Sequence, residues 1–199
     1  MPGSYSGVAG QGTCSLCEAG KFQNASGTTA CMDCTEGFYC IEGSSAPLPC
    51  PAGTRKNPAL AVMTSDTQCL ECPEGTACSI GSAEATLCSP GTYNPIPRQA
   101  TCFSVPAGFY QDESGATGYK NCSIGNYCPE GAAAELPCLA GSYSSTPNLA
   151  HADNCTACPI GSACSTGSTT HTLCAPGTFN PNASAAVCPK CVAGSFQDL

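Results

Sequence analysis

The segment Gly37-Phe38-Tyr39-Cys40-Ile41-Glu42-Gly43 returns 88 residues later as Gly125-Asn126-Tyr127-Cys128-Pro129-Glu130-Gly131, and Leu48-Pro49-Cys50 returns at the same offset as Leu136-Pro137-Cys138. After a two-residue deletion the offset is 86: Thr86-Leu87-Cys88-Ser89-Pro90-Gly91-Thr92-Tyr93 comes back as Thr172-Leu173-Cys174-Ala175-Pro176-Gly177-Thr178-Phe179. Self-similarity at a fixed long period marks a repeat architecture, in which each unit buries its surface against its neighbours. The chain accordingly reads as a partial repeat over 1–34, one period over 35–122 and a second over 123–199.

Composition says what must hold such an array together. Leu, Ile, Val and Phe supply only 26 of 199 residues, below the share with which a chain usually buries a sufficient core. Twenty cysteines, 22 glycines and 17 prolines describe a loop-rich scaffold stapled by disulfides, which persist in oxidising, extracellular compartments. Gly and Pro interrupt every few residues and no window has a 3.6-residue apolar period. The expected fold is therefore small and disulfide-rich, with short two-stranded ribbons and turns and little or no helix. A net charge of −8, with only Lys21, Arg55, Lys56, Arg98, Lys120 and Lys190 as cations, offers no basic patch for nucleic acid or anionic lipid. No apolar run reaches 18 residues and no secretory signal is visible in these residues, so this segment is expected to hold no membrane span.

Two loop types are apparent. Long loops carry Gly three residues after cysteine and an aromatic two further on, as at Cys17, Gly20 and Phe22, and at Cys191, Gly194 and Phe196; tight loops read Cys-x5-Cys. In the second period Val105 replaces Cys17 and Tyr119 replaces Cys31. Both losses fall on one loop, and losing one half of a bridge strands a thiol, so Cys17 is expected to pair with Cys31. Extending that rule gives Cys50–Cys69, Cys88–Cys102, Cys138–Cys155 and Cys174–Cys188 for the long loops. The tight loops then close as Cys34–Cys40, Cys72–Cys78, Cys122–Cys128 and Cys158–Cys164. Cys14 and Cys191 remain, and in the register of the repeat each wants a partner beyond the ends of these residues. A crossed pattern, Cys34–Cys50 with Cys40–Cys69 and so on, also uses every cysteine and stays open. The long-loop aromatics are expected to lie against neighbouring disulfides as small local cores.

Cys14-x2-Cys17-x13-Cys31-x2-Cys34 has the spacing of a four-cysteine zinc ribbon, but the second period keeps only Cys102 and Cys122 of that set. No metal is expected. His151 and His171 are the only histidines and neither recurs in the other period; they read as solvated loop residues. Glu18, Asp33, Glu36, Glu74 and Asp112 are scattered singly, without the clustering that calcium or acid–base catalysis needs. Neither a catalytic site nor a cofactor is expected. Four Asn-x-Ser/Thr sequons begin at Asn24, Asn121, Asn154 and Asn182. Asn24 and Asn182 lie in the variable part of long loops, where a glycan has room; Asn121 and Asn154 directly precede bridged cysteines and are the weaker acceptors. Abundant Ser, Thr and Pro leave O-linked glycans open.

Cys50-Pro51-Ala52-Gly53-Thr54, Tyr127-Cys128-Pro129-Glu130-Gly131 and Cys155-Thr156-Ala157-Cys158-Pro159-Ile160-Gly161 resemble the ephrin-receptor-like cysteine-rich repeats, relatives of the tumour-necrosis-factor-receptor and growth-factor-receptor modules. The density of Cys-x-x-Gly-x-aromatic units is similar to that of the long arrays in protist and algal surface proteins. The resemblance implies an elongated array of modules. The expected function is that of a secreted or cell-surface structural glycoprotein, a rod-like repeat building a coat or filament through contacts between identical chains. The alternative is a ligand-binding segment of a receptor ectodomain. Non-reducing peptide mapping separates the two bridge patterns: a peptide joining Cys34 to Cys40 is expected, and one joining Cys34 to Cys50 excludes the local pattern.

Overall fold

A computed structural model describes residues 1–8 and 12–195; the loop aromatic expected at Phe196 lies outside them. Contacts divide the chain into two compact units, Met1–Cys88 with Asn94–Cys102, and Ser89–Tyr93 with Phe103–Leu199. Both are built from one element, an antiparallel ribbon of two short strands, and the described residues hold ten of these. In chain order the ribbons pair Ser4–Tyr5 with Ser15–Leu16, Lys21–Phe22 with Met32–Asp33, Phe38–Tyr39 with Leu48–Pro49, Thr54–Arg55 with Leu70–Glu71, and Thr76–Ala77 with Thr86–Leu87. Then follow Thr92–Tyr93 with Phe103–Ser104, Phe109–Tyr110 with Lys120–Asn121, Asn126–Tyr127 with Leu136–Pro137, Ser142–Tyr143 with Thr156–Ala157, and Ser162–Ala163 with Thr172–Leu173. The only helical turns among the described residues are two 3-10 segments, Asp66–Gln68 and Ala152–Asn154.

An isolated two-residue ribbon is not stable in water, so each must be held from outside. Part of that support is a backbone lattice. In the first unit the amides of Cys17, Cys34, Cys50 and Cys72 donate to the carbonyls of Gly3, Gly20, Gly37 and Gly53 in the preceding hairpin, at 2.9–3.0 Å. The carbonyls of Cys17, Cys50 and Cys72 accept in turn from Gly43, Gly81 and Arg98 of the following hairpin, at 2.8–2.9 Å. The second unit repeats the scheme. Val105, Cys122, Cys138 and Cys158 donate to Gly91, Gly108, Gly125 and Gly141, and accept from Gly131, Asn148, Gly167 and Ser184. Seven of the residues that open hairpins are thus two-sided backbone nodes, all wholly buried, while among the described residues Cys34, Cys88 and Cys174 make only the bond to the hairpin before.

Long and tight loops prove to be one hairpin with two bridging modes. The tight loops also place glycine three residues after their first cysteine, at Gly37, Gly75, Gly125 and Gly161; the Cys-x5-Cys segment is the outgoing strand of an ordinary hairpin. The glycine has a geometric cause. Gly91 sits at φ +83°, and a Cβ there would strike the carbonyl of Gly131 two hairpins on. Left-handed φ and backbone contact both bar a side chain.

Gly91→Ala is therefore expected to destabilise the second unit by about 1–3 kcal/mol. Gly118→Ala, where a Cβ meets nothing within 4 Å, should stay within about 0.5 kcal/mol of the parent. Denaturant titration of both variants checks this.

Candidate functional site

Nine disulfides cross-link the described residues, and each closes within one hairpin: Cys17–Cys31, Cys34–Cys40, Cys50–Cys69, Cys72–Cys78, Cys88–Cys102, Cys122–Cys128, Cys138–Cys155, Cys158–Cys164 and Cys174–Cys188. Their Cα atoms lie 5.7–6.2 Å apart, within the ordinary range for such bonds. Cys14 and Cys191 are free; Cys14 is exposed and Cys191 half-buried. In the zinc-like spacing, the Cys17 and Cys31 sulfurs are bonded to each other. No group of three or more His, Cys, Asp or Glu among the described residues is arranged to hold a metal ion.

The bridging mode is set six residues after the node. Tight hairpins place a cysteine there: Cys40, Cys78, Cys128 and Cys164, all buried. Five long hairpins fill the same position with Gln23, Asn94, Gln111, Ser144 or Asn180, also buried, and the one opened by Cys50 has the half-buried Lys56 there. The buried polar side chains satisfy backbone groups of their own loop or of the previous hairpin. Gln23 Nε2 donates to the Ala30 carbonyl (2.7 Å) and its Oε1 accepts from the Ala25 amide (3.0 Å); Gln111 does the same with Gly118 and Glu113 (2.8 and 2.9 Å). Asn94 and Asn180 reach back to Thr76 and Ser162 of the previous hairpin, each at 2.7 Å. The sequence reading missed this set. Its signal was available as the residue aligned with the second cysteine of each tight loop.

The hairpin from Val105 to Asn121 has no bridge of its own. Val105 keeps the backbone node and fills the core with 0% exposure. Tyr119, in place of the partner cysteine, packs edge-on against Tyr93 at 5.0 Å and tilted against Phe109 at 4.9 Å; Tyr93 also meets Phe103 at 6.1 Å. Such ring pairs contribute about 0.5–1.5 kcal/mol each beyond area burial. Among the loop aromatics, Tyr93 packs on the rings of Phe103 and Tyr119. Tyr143 meets the His171 imidazole at 5.6 Å in a tilted pair, and His171 is exposed. Tyr110 follows the expectation, lying on the buried cluster of Cys122, Cys128 and Ala132. Phe103 and Tyr119 are 46% and 42% exposed, which leaves an aromatic patch on this hairpin.

Beside the patch the Lys120 ammonium contacts Asp112 (2.7 Å) and Glu113 (2.8 Å). Its hydrogen bond to Asp112, then that to Glu113, raises its pKa, and the bond from Lys120 holds the Asp112 carboxyl below the usual carboxylate range. What Asp112 adds is lost as pH falls through its lowered folded value; what Lys120 adds is lost as pH rises through its raised one. The cluster is therefore intact at neutrality, though solvent exposure keeps its contribution small. All four sequon asparagines are exposed. Asn154 is engaged locally, its Oδ1 accepting from the His151 amide at 3.1 Å beside the 3-10 turn.

If the rings substitute for the missing bridge, the bridge can be restored. The Val105→Cys/Tyr119→Cys double variant should show no more reactive thiols than Cys14 and Cys191 provide, whereas either single variant should gain one and unfold at lower denaturant, as Ellman titration and denaturation curves will show.

The family model for tyrosine-protein kinase ephrin type A/B receptor-like sequences matches residues 3–46, the span of the first two hairpins and most of the third. No curated protein matches the chain. Among the described residues no helix is long and apolar enough to cross a membrane. The match and the disulfide-closed ribbons fit a receptor-like extracellular segment: the chain is a cysteine-rich repeat protein whose residues 3–46 are similar to the ephrin-receptor-like modules.

Proposed function

We propose that the chain is an extracellular structural glycoprotein whose repeats build a surface coat or filament through contacts between identical chains. The observation that carries this reading is the two-sided backbone node. Seven of the opening residues, Cys17, Cys50, Cys72, Val105, Cys122, Cys138 and Cys158, bond both the hairpin before and the hairpin after, and Cys34, Cys88 and Cys174 bond the one before, so the design extends by adding hairpins without altering any of them, as in other repeat arrays. The cross-links suit an oxidising location, and the proposal includes no catalytic step, cofactor or metal. Glycans at Asn24 and Asn182 would face solvent, where both side chains lie, and O-linked glycans on the Ser- and Thr-rich loops belong to the same reading.

A second reading, a ligand-binding segment of a receptor ectodomain, draws on the receptor description of the matched family. Sedimentation and negative-stain micrographs of the secreted chain separate the two. Concentration-dependent assembly into fibres or a lattice is expected. A chain that stays monomeric across the range overturns the structural reading, and a membrane span encoded in the complete reading frame favours the receptor.

A further inference from the structure

We propose that Asn121 is a glycan acceptor built into the fold, its first sugar seated on the rings of Phe109 and Tyr119. This rests on the reading of the chain as a secreted glycoprotein, and it reverses the order in which sequence spacing alone placed the four sequons. Asn121 stands directly across the ribbon from Phe109, and directly opposed residues project from the same face. Tyr119 lies two residues before Asn121, immediately ahead of the strand Lys120–Asn121. The ring contact between Phe109 and Tyr119 joins these neighbours of Asn121 into one apolar platform.

The platform is accessible. Tyr119 is 42% exposed, Phe109 is half-buried and Asn121 is exposed. The Asn121 carboxamide has no side-chain hydrogen bond among the described residues, whereas the Asn154 carboxamide is held by the His151 amide. A pyranose presents one face of C–H bonds, and flat aromatic faces are its natural complement. Most hairpins place Ser or Thr where Phe109 stands, and three long hairpins of the first unit place the bridged Cys31, Cys69 and Cys102 where Tyr119 stands. The hairpin that lost its disulfide is thus the one whose sequon is flanked by two rings.

The chemistry is a glycosyl transfer from an oligosaccharide diphosphate donor of the secretory pathway. Asn121 Nδ2 forms a bond to the anomeric carbon, the bond from that carbon to the phosphate oxygen breaks, and the diphosphate leaves with the electron pair. One amide proton passes to a base of the transferase. In the folded chain the sequon hydroxyl of Ser123 is bonded to Glu135 (3.0 Å) and Cys122 is bridged to Cys128. Transfer therefore precedes closure of that loop.

The test is to secrete the 199-residue chain from a eukaryotic host, release N-glycans enzymatically in heavy-oxygen water, and map the sites by mass spectrometry. Hydrogen exchange over 105–121 is then compared between the glycosylated chain, Asn121→Gln, Tyr119→Ser and the two combined. The expected result is an occupied Asn121, with exchange slower than in Asn121→Gln by about three- to tenfold and with that difference abolished in the Tyr119→Ser background. A bare Asn121 on a chain glycosylated at Asn24 or Asn182 overturns the inference alone. An occupied Asn121 whose removal leaves exchange unchanged, or whose effect survives Tyr119→Ser, overturns the seat on the rings. A chain without N-glycans at any site overturns both the inference and the glycoprotein reading beneath it. The occupancy measurement needs no variant, so a misfolded Tyr119→Ser does not rescue the proposal.

Discussion

The structure depends on the backbone of the residue that opens each hairpin. Its amide bonds to a glycine carbonyl of the hairpin before, and at seven of these positions its carbonyl accepts from a turn amide of the hairpin after, as Cys122 does with Gly108 and Asn148. A ribbon two residues long cannot persist alone, and a chain so poor in large apolar side chains has little else with which to bind its neighbours. The disulfides do not meet this need, because every one closes inside its own hairpin. They restrict the unfolded chain, while the backbone nodes join hairpin to hairpin.

This division of labour explains what can vary. At Val105 the sulfur is gone but the node remains: its amide still donates to Gly91 and its carbonyl still accepts from Gly131. A side chain that fills the buried space is enough there, and the rings of Tyr93, Phe109 and Tyr119 supply local packing in place of the cross-link. The turn residues that feed the nodes tolerate Arg98, Asn148 and Ser184 at positive φ, near +61 to +65°, where other hairpins use glycine. A left-handed non-glycine residue costs free energy. The node bond and the fit against the preceding hairpins offset that cost, and Arg98 adds an exposed pair with Glu71 at 3.3 Å.

The same plan shapes the surface. Return strands leave Met32, Leu48, Leu70, Phe103 and Leu136 between 37% and 46% exposed, because a two-stranded ribbon has one inner face and no second sheet to cover the other. Scattered apolar exposure of this kind is ordinary. The aromatic patch differs in that it concentrates rings beside a sequon, where Val105 and Tyr119 stand in place of a bridged pair.

From residue order alone came the repeat, the scarcity of helix, confined among the described residues to single turns, and the similarity to ephrin-receptor-like modules. These follow from spacing: cysteine, glycine and proline act locally, and their intervals survive without knowledge of what lies nearby in space. Residue order also divided the loops into two kinds, which the three-dimensional structure unites, because the glycine at Gly37 or Gly125 takes its meaning from a contact two hairpins away. Only the tertiary structure identified Gln23, Asn94 and Gln111 as buried polar fillers and set Asn121 across from Phe109. A polar residue in a loop looks the same in sequence whether it faces water or an unpaired carbonyl; burial and strand register, which are properties of the folded backbone, decide between them.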